Sequence, residues 1–142
     1  MPGISWATKI SNRINPQITP VDGTASGLDL TAAGGATSGG NGADVVTIDS
    51  SPSSPRLLHI STVSIDQCTA GATITVRMYM KKRSTDATLT EFYNVDFVQG
   101  QVPDLLPLIS GTLAIMSNLR IEMESDNVAD NNVDVDYSYI RE

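Results

Sequence analysis

Four stretches of this chain of 142 residues alternate between apolar and polar side chains. They cover residues 74–80, 93–97, 119–124 and 133–139. Because successive side chains of a β-strand point to opposite faces, this alternation predicts strands with one buried face and one solvated face. No stretch after residue 44 keeps a helical period. The alternation therefore predicts an all-β fold built from antiparallel strands.

Three further stretches, residues 44–49, 56–66 and 112–116, are apolar enough to form strands. The segments between the predicted strands are rich in Ser, Pro, Gly, Asn and Asp, which favour turns. About seven short strands separated by turns are typical of a β-sandwich. We therefore expect an antiparallel β-sandwich, either jelly-roll or immunoglobulin-like.

The stretch over residues 56–66 has an irregular pattern. Leu58 and Ile60 share one parity, whereas Val63 and Ile65 share the other. One extra residue near position 61 or 62, a β-bulge, would place both pairs on the same face of the strand. A strand buried on both faces is the alternative.

Glycine is concentrated at the N-terminal end, where eight of the eleven glycines lie within the first 42 residues. Residues 21–44 hold seven Gly, five Ala and five Ser or Thr, so they have little apolar surface to offset the entropy of ordering the chain. Pro16 and Pro20 interrupt the isoleucine spacing that would otherwise favour a helix. We therefore predict an extended N-terminal arm over residues 1–44 and a sandwich domain over residues 45–142.

Composition and charge disfavour several functions. A net charge of −7 argues against a nucleic-acid-binding face, which is usually basic. No apolar run reaches the roughly 18 residues of a membrane span, and the N-terminus does not resemble a secretory signal. We expect no nucleic-acid partner, no membrane partner and no secretion. The single cysteine excludes a disulfide within the chain.

Two residues have chemistry that catalysis often uses. His59 is the only histidine, and Ser61 lies two residues later, on the same face of the predicted strand. The chain has no Gly-x-Ser-x-Gly motif, so we interpret His59 as an ordinary strand residue rather than a general base. Cys68 has no neighbouring cation in the sequence to lower the pKa of its thiol, and we interpret it as a semi-buried structural residue. We predict no catalytic residues.

An acidic cluster precedes the last predicted strand. It contains Asp126, Asp130, Asp134 and Asp136 together with three asparagines. These oxygens are the ligands that Ca²⁺ prefers, but the EF-hand pattern is absent. We favour a solvated turn followed by a strand with an acidic outer face, and we predict no cofactor. A structural cation at these four aspartates is the alternative.

Basic residues and the single tryptophan suggest contacts with a partner. Arg77, Lys81, Lys82 and Arg83 form a basic group, whereas residues 122–142 hold seven acidic residues and one basic residue. This polarity fits salt-dependent docking between subunits, although an ordinary polar hairpin explains it equally well. Trp6 either packs on its own domain or inserts into a partner, where Trp is a preferred anchor.

The chain resembles the capsid decoration (cement) proteins of tailed bacteriophages. The resemblance lies in a Gly/Ser/Thr-rich arm followed by a small acidic sandwich, and in residues 72–81, 105–125 and 133–142. It carries over no individual functional residue. It implies a non-enzymatic virion protein, made in the host cytoplasm, that is bound at many sites on the capsid, often as a trimer. Such a protein would bridge neighbouring subunits of the major capsid protein.

The resemblance makes the arm and the basic group candidate interfaces. The candidate residues are Ile4, Trp6, Ile10, Ile14, Ile18, Arg77, Lys81, Lys82 and Arg83. A carbohydrate- or receptor-binding module of a phage fibre or tail is the alternative function. A small hydrolase or lyase with a pocket around His59 is a third.

Overall fold

The computed structural model describes residues 18–142, and all regular secondary structure in this range is β-strand. The strands are β1 (Thr19–Leu28), β2 (Ala43–Ile48), β3 (Arg56–Ser64), β4 (Thr73–Met80), β5 (Thr90–Val98), β6 (Leu105–Ile109), β7 (Leu113–Ile115), β8 (Leu119–Ser125) and β9 (Val133–Arg141). The four alternating stretches form β4, β5, β8 and β9, which confirms the prediction. The three weaker stretches form β2, β3 and β7. Strands β1 and β6 were not predicted.

The strands form two antiparallel sheets that pack face to face. Sheet A has the order β1-β9-β3-β6, with the short β7 also paired to β3, and sheet B has the order β2-β8-β4-β5. Their inner faces share one core cluster, which includes Leu58, Val63 and Val135 from sheet A and Ile74, Val76 and Ile121 from sheet B. The predicted antiparallel β-sandwich is therefore confirmed.

The strand pairing is nested. Strand β1 pairs with β9, β2 with β8, β3 with β6 and β7, and β4 with β5. The chain therefore resembles one long hairpin whose two arms wrap together across both sheets. A five-stranded and a four-stranded sheet with this nesting, in which β6 and β7 both pair with β3, form the jelly-roll arrangement, which is one of the two predicted sandwich types.

A bulge in β3 explains its irregular pattern. The pairing of β3 with β9 shifts register between Leu58 and Ile60, so His59 is the extra residue. Leu58 and Val63 both lie in the core, whereas Ile60 is 46% exposed on the outer face of sheet A. A bulge is present as predicted, but it lies at His59 instead of near position 61 or 62, and the expectation that Ile60 shares the buried face is wrong.

The prediction of an extended arm is wrong for residues 18–44. Strand β1 pairs with β9 over most of its length, and Leu30, which follows β1, is completely buried in the core. Residues 31–42 then cross to sheet B, where the backbone N–H and the hydroxyl of Ser38 donate hydrogen bonds to the buried Glu122 carboxylate. Backbone pairing and polar contacts thus hold a segment that has little apolar surface of its own. The remainder of the predicted arm, with Ile4, Trp6, Ile10 and Ile14, lies outside the described residues.

Gly42 occupies a position that only glycine fits. Its φ of +90° lies in the left-handed region, and a Cβ there would overlap the backbone carbonyl oxygen of Met123 in β8. Gly39 also has a positive φ, of +84°, but a Cβ there would meet no atom within 4 Å. A comparison of substitutions at Gly42 and Gly39 therefore separates the cost of backbone strain, which both share, from the cost of steric overlap, which only Gly42 has.

We expect Gly42→Ala to lower the free energy of unfolding by roughly 2–5 kcal/mol, because strain and overlap both contribute. Gly39→Ala, the matched control, should cost only about 1 kcal/mol. Urea denaturation followed by circular dichroism measures both values. Equal losses in the two variants would contradict the close approach of Gly42 to β8.

Candidate functional site

The outer face of sheet B carries a network of polar and charged side chains. Directly opposed residues form two rows across its four strands: Asp44–Glu122–Arg77–Asn94 and Thr47–Arg120–Tyr79–Glu91. The alternation of β4 and β8 places these residues outward, while Val76, Met78 and Ile121 point into the core. Sequence alternation therefore located the outer face, but it did not indicate which side chains pair across it.

Glu122 is a buried carboxylate in the middle of this face. It is 0% exposed because residues 31–42 cover it. The Ser38 Oγ donates to Glu122 Oε2 at 2.6 Å, and the Ser38 backbone N–H donates to Oε1 at 3.2 Å. Burial raises the pKa of Glu122, and the nearby Asp44 carboxylate raises it further, whereas the Ser38 hydrogen bonds lower it. Burial is the largest of these effects, so the carboxyl group holds its proton more strongly than an ordinary glutamate.

The predicted basic interface group is divided by the structure. Arg77 lies in the middle of β4, where its guanidinium pairs with Glu124 at 2.6 Å and lies 3.9 Å from Glu91. Lys82 and Arg83 are exposed in the hairpin between β4 and β5, where Arg83 pairs with Asp86 at 2.9 Å. Lys81 instead lines a groove next to this hairpin. The four residues therefore do not form one basic surface.

This groove, at the end of sheet B, has a volume of about 650 Å³. Tyr79 and Arg120 contribute to its lining from the sheet, Lys81 follows the end of β4, and the other lining residues come from the surrounding loops. These include seven hydroxyl residues: Thr37, Ser38, Ser50, Ser51, Ser84, Thr88 and Ser117. Among residues 18–142, the groove lining contains two cationic side chains and no carboxylate. This is unusual in a chain that has 16 acidic residues. The nearest ionic neighbour of the Arg120 guanidinium is Asp44, at 3.7 Å.

The four aspartates named as an alternative cation site do not converge. Asp130 is buried and accepts hydrogen bonds from the Thr69 backbone N–H at 2.9 Å, the Thr69 hydroxyl at 2.6 Å and the Ser125 hydroxyl at 2.5 Å. The other three accept from separate partners: Asp126 from the Thr73 N–H, Asp134 from the Gly27 N–H, and Asp136 from the Thr24 hydroxyl. Among residues 18–142, no group of three His, Cys, Asp or Glu side chains could hold a metal ion. These carboxylates each fasten a different part of the chain.

His59 lies between a hydroxyl and a carboxylate. Its Nδ1 is 3.2 Å from Thr112 Oγ1, and its Nε2 is 3.2 Å from Glu142 Oε2. Hydroxyl, imidazole and carboxylate occur in this order in catalytic triads. However, none of the three lines the groove beside Lys81 or the two smaller grooves beside Gly23 and Arg56, and Ser61 is buried in the sandwich interior. The contact ties the end of β9 to the connection between β6 and β7.

Cys68 is buried in the loop between β3 and β4. Burial, followed by the charges of Asp130 and Asp66, raises the pKa of its thiol to about 12. The thiol is therefore protonated at neutral pH, and a protonated thiol is a poor nucleophile. This agrees with the interpretation of Cys68 as a structural residue.

The outer face of sheet A carries a short apolar row. Pro20 of β1 and Ile60 of β3 both lie opposite Ile140 of β9, on the face that points away from the core. Ile18, just before β1, is 58% exposed and has the same parity as Pro20. We call these four residues the apolar row. Ile18 was a predicted interface residue, whereas Ile60 was missed because the bulge at His59 reverses the parity of β3. Ile140 was not among the predicted interface residues.

Two sequence comparisons identify no relative of this chain. No protein-family model matches the sequence, and no curated protein matches it significantly. Within residues 18–142, no helix is long and apolar enough to cross a membrane.

The raised pKa of Glu122 gives a testable pH dependence. Above pH 4.5, the ordinary pKa of glutamate, the unfolded chain loses this proton while the folded protein keeps it until the raised pKa is passed. This group therefore lowers the free energy of unfolding as the pH rises through that window. We expect Glu122→Gln to gain stability relative to wild type as the pH rises from 4.5 towards neutrality, measured by urea denaturation at each pH.

Glu124→Gln is the matched control, because Glu124 lies on the same face of β8 but is partly exposed and paired with Arg77. Its stability difference from wild type should change less over the same pH range. A Glu122→Gln difference that does not vary with pH would contradict the burial of this carboxylate.

Proposed function

We propose that this chain is a non-enzymatic virion structural protein that decorates and cements a bacteriophage capsid, where it bridges neighbouring subunits of the major capsid protein. The observation that carries the proposal is the apolar row on the outer face of sheet A. Apolar side chains exposed side by side on a protein surface mark sites of protein–protein contact. The row is formed by three adjacent strands, so a broad and rigid part of the molecule supports it.

The position of the row relative to the N-terminal residues supports the proposal. The row begins at Ile18, and the preceding sequence contains Ile4, Trp6, Ile10 and Ile14. Apolar anchors in that segment would extend a contact that starts on the folded domain. Burial of one isoleucine contributes about 1.5–3 kcal/mol, and repetition over a lattice of identical sites turns modest contacts into strong retention.

The jelly-roll arrangement is compatible with this function. Jelly rolls occur in viral capsid proteins, and also in lectins and cupins. A fold shared by such different proteins does not identify a function, so it supports the proposal only by analogy.

Substitution within the row tests the proposal. Ile60→Asp should weaken attachment to purified shells of the major capsid protein at least tenfold, because it places a charge in the buried contact and removes about 1.5–3 kcal/mol of apolar burial. Titration onto shells followed by pelleting measures the bound fraction. Circular dichroism checks that the variant is folded.

Leu105→Asp is the matched control. Leu105 is 57% exposed, and it lies opposite Ser64 on the outer face of sheet A, outside the row. This variant should bind as the wild type does. Equal loss in both variants, or no loss in Ile60→Asp, would contradict a contact through the apolar row.

A second function, saccharide binding, is favoured by the groove beside Lys81. Its volume falls within the range of about 300–1,000 Å³ that is usual for ligand sites. Hydroxyl groups, the Tyr79 ring and the Asn118 amide line it, and its two charged lining residues are Lys81 and Arg120. This set matches a saccharide that carries a carboxylate or sulfate group. The protein would then be a receptor-binding module of a phage fibre or tail.

Two adjacent lysines test this alternative. Lys81 lines the groove, whereas Lys82 is exposed and lies outside its lining. Lys81→Ala should weaken the binding of sialyllactose or heparin-derived oligosaccharides about tenfold in calorimetric titrations, which corresponds to one charge-assisted hydrogen bond. Lys82→Ala makes the same change in net charge and should have little effect. Wild-type protein that binds none of these probes would exclude the alternative.

A further inference from the structure

Strand β5 leaves one edge of sheet B open. It is the last strand in the order β2-β8-β4-β5, and its second edge pairs with no strand among residues 18–142. It is nine residues long, and six of these are strand-favouring: Thr90, Phe92, Tyr93, Val95, Phe97 and Val98. An edge of this length and composition offers free backbone donors and acceptors to another strand.

The other edges carry features that hinder pairing. Strand β1 contains Pro20 and two glycines, and β6 has only five residues, one of which is Pro107. Strand β2 has six residues and a register shift between Asp44 and Val46. Proline, short length and bulges are common means of protecting sheet edges. Strand β5 contains neither proline nor lysine, and its one register shift, opposite Met78 and Tyr79, leaves the part from Tyr93 onward regular.

The inner face of β5 is also incompletely covered. Tyr93, Val95 and Phe97 lie opposite core residues of β4 and point to the same side. Val76 is 0% exposed, yet Val95, directly opposite it, is 38% exposed. The exposure of inward-facing residues therefore rises sharply between β4 and its neighbour β5. The apolar core of the sandwich is partly exposed to solvent at β5.

We propose that β5 pairs antiparallel with β5 of a second copy of this chain, which joins the two B sheets into one eight-stranded sheet. A two-fold axis perpendicular to the sheet places the inner face of one β5 beside the inner face of the other. Each odd-numbered residue of β5 must therefore lie opposite an odd-numbered residue of the partner's β5, and each even-numbered residue opposite an even-numbered one. This inference depends on the edge of sheet B alone and is independent of the proposed virion function.

Complementarity selects the register with Val95 on the axis. Val95 then lies opposite Val95 of the partner subunit. On the inner face, Tyr93 opposes the partner's Phe97, an aromatic pair of the kind that stabilises antiparallel sheets. On the outer face, the Asn94 amide opposes the carboxylate of the partner's Asp96 and can donate to it. No two like charges are directly opposed, which makes a second copy a better occupant than an unrelated strand.

Analytical ultracentrifugation of the full chain tests the proposal. We expect a dimer at micromolar concentration and, for Val95→Lys, at least a tenfold increase in the dissociation constant, because two ammonium groups would meet at the axis. A monomeric or trimeric wild type would overturn the proposal. It would also be overturned if a dimer formed only after removal of residues 1–17, since that segment would then be the occupant of the edge.

Cysteine cross-linking tests the register while the fold stays intact. Val95→Cys should form a disulfide-linked dimer on mild oxidation, because the two thiols lie opposite each other on the axis. Val98→Cys is the matched control: Val98 lies three residues from the axis, and its copy in the partner subunit lies on the other side of the axis, so two substituted residues would lie far apart. The native Cys68 is buried and should not react. Cross-linking of Val98→Cys without Val95→Cys would overturn the proposed pairing.

Discussion

The pairing of β1 with β9 determines how the rest of the chain is arranged. Thr19 lies opposite Arg141 and Leu28 opposite Val133, so the first described strand and the last are neighbours in sheet A. Because β2 belongs to sheet B, the connection over residues 29–42 must leave sheet A, pass the edge of the sandwich and cross the outer face of sheet B. Small residues allow this path. Gly42 approaches the β8 backbone too closely for any side chain, and Ser38 reaches the buried Glu122.

The same path explains why two acidic side chains are buried in an acidic protein. Glu122 lies beneath the crossing segment and holds it through Ser38. Asp130 lies where this segment leaves β1: its backbone carbonyl accepts from Leu30, and its carboxylate accepts from Thr69 and Ser125. A buried carboxylate that receives several hydrogen bonds costs much less than an unpaired one. Polar contacts thus perform, at this side of the sandwich, the role that apolar packing performs in the core.

The sequence predicted the strands with regular alternation, but not the segments held by long-range contacts. Strands β4 and β8 keep a strict period because one face is buried along their whole length. Strand β1 has glycine at positions 23 and 27, and its order comes from β9, more than a hundred residues away. Ile60 escaped prediction for a similar reason, because the bulge at His59 that turns it outward is visible only through the pairing of β3 with β9. The groove is lined by residues from four separate loops, and no local sequence pattern indicates that these loops lie together.

The geometry of the proposed dimer connects the open edge to the apolar row. A two-fold axis perpendicular to sheet B places both copies of sheet A on the same side of the assembly, so their outer faces point in one direction. The dimer would then present two apolar rows to one surface while both grooves stay on the opposite side. Two linked contacts raise the effective concentration of the second once the first has formed, which strengthens retention without any new contact. A pair of copies joined through β5 is therefore better suited than a single copy to bridge repeated subunits of a shell.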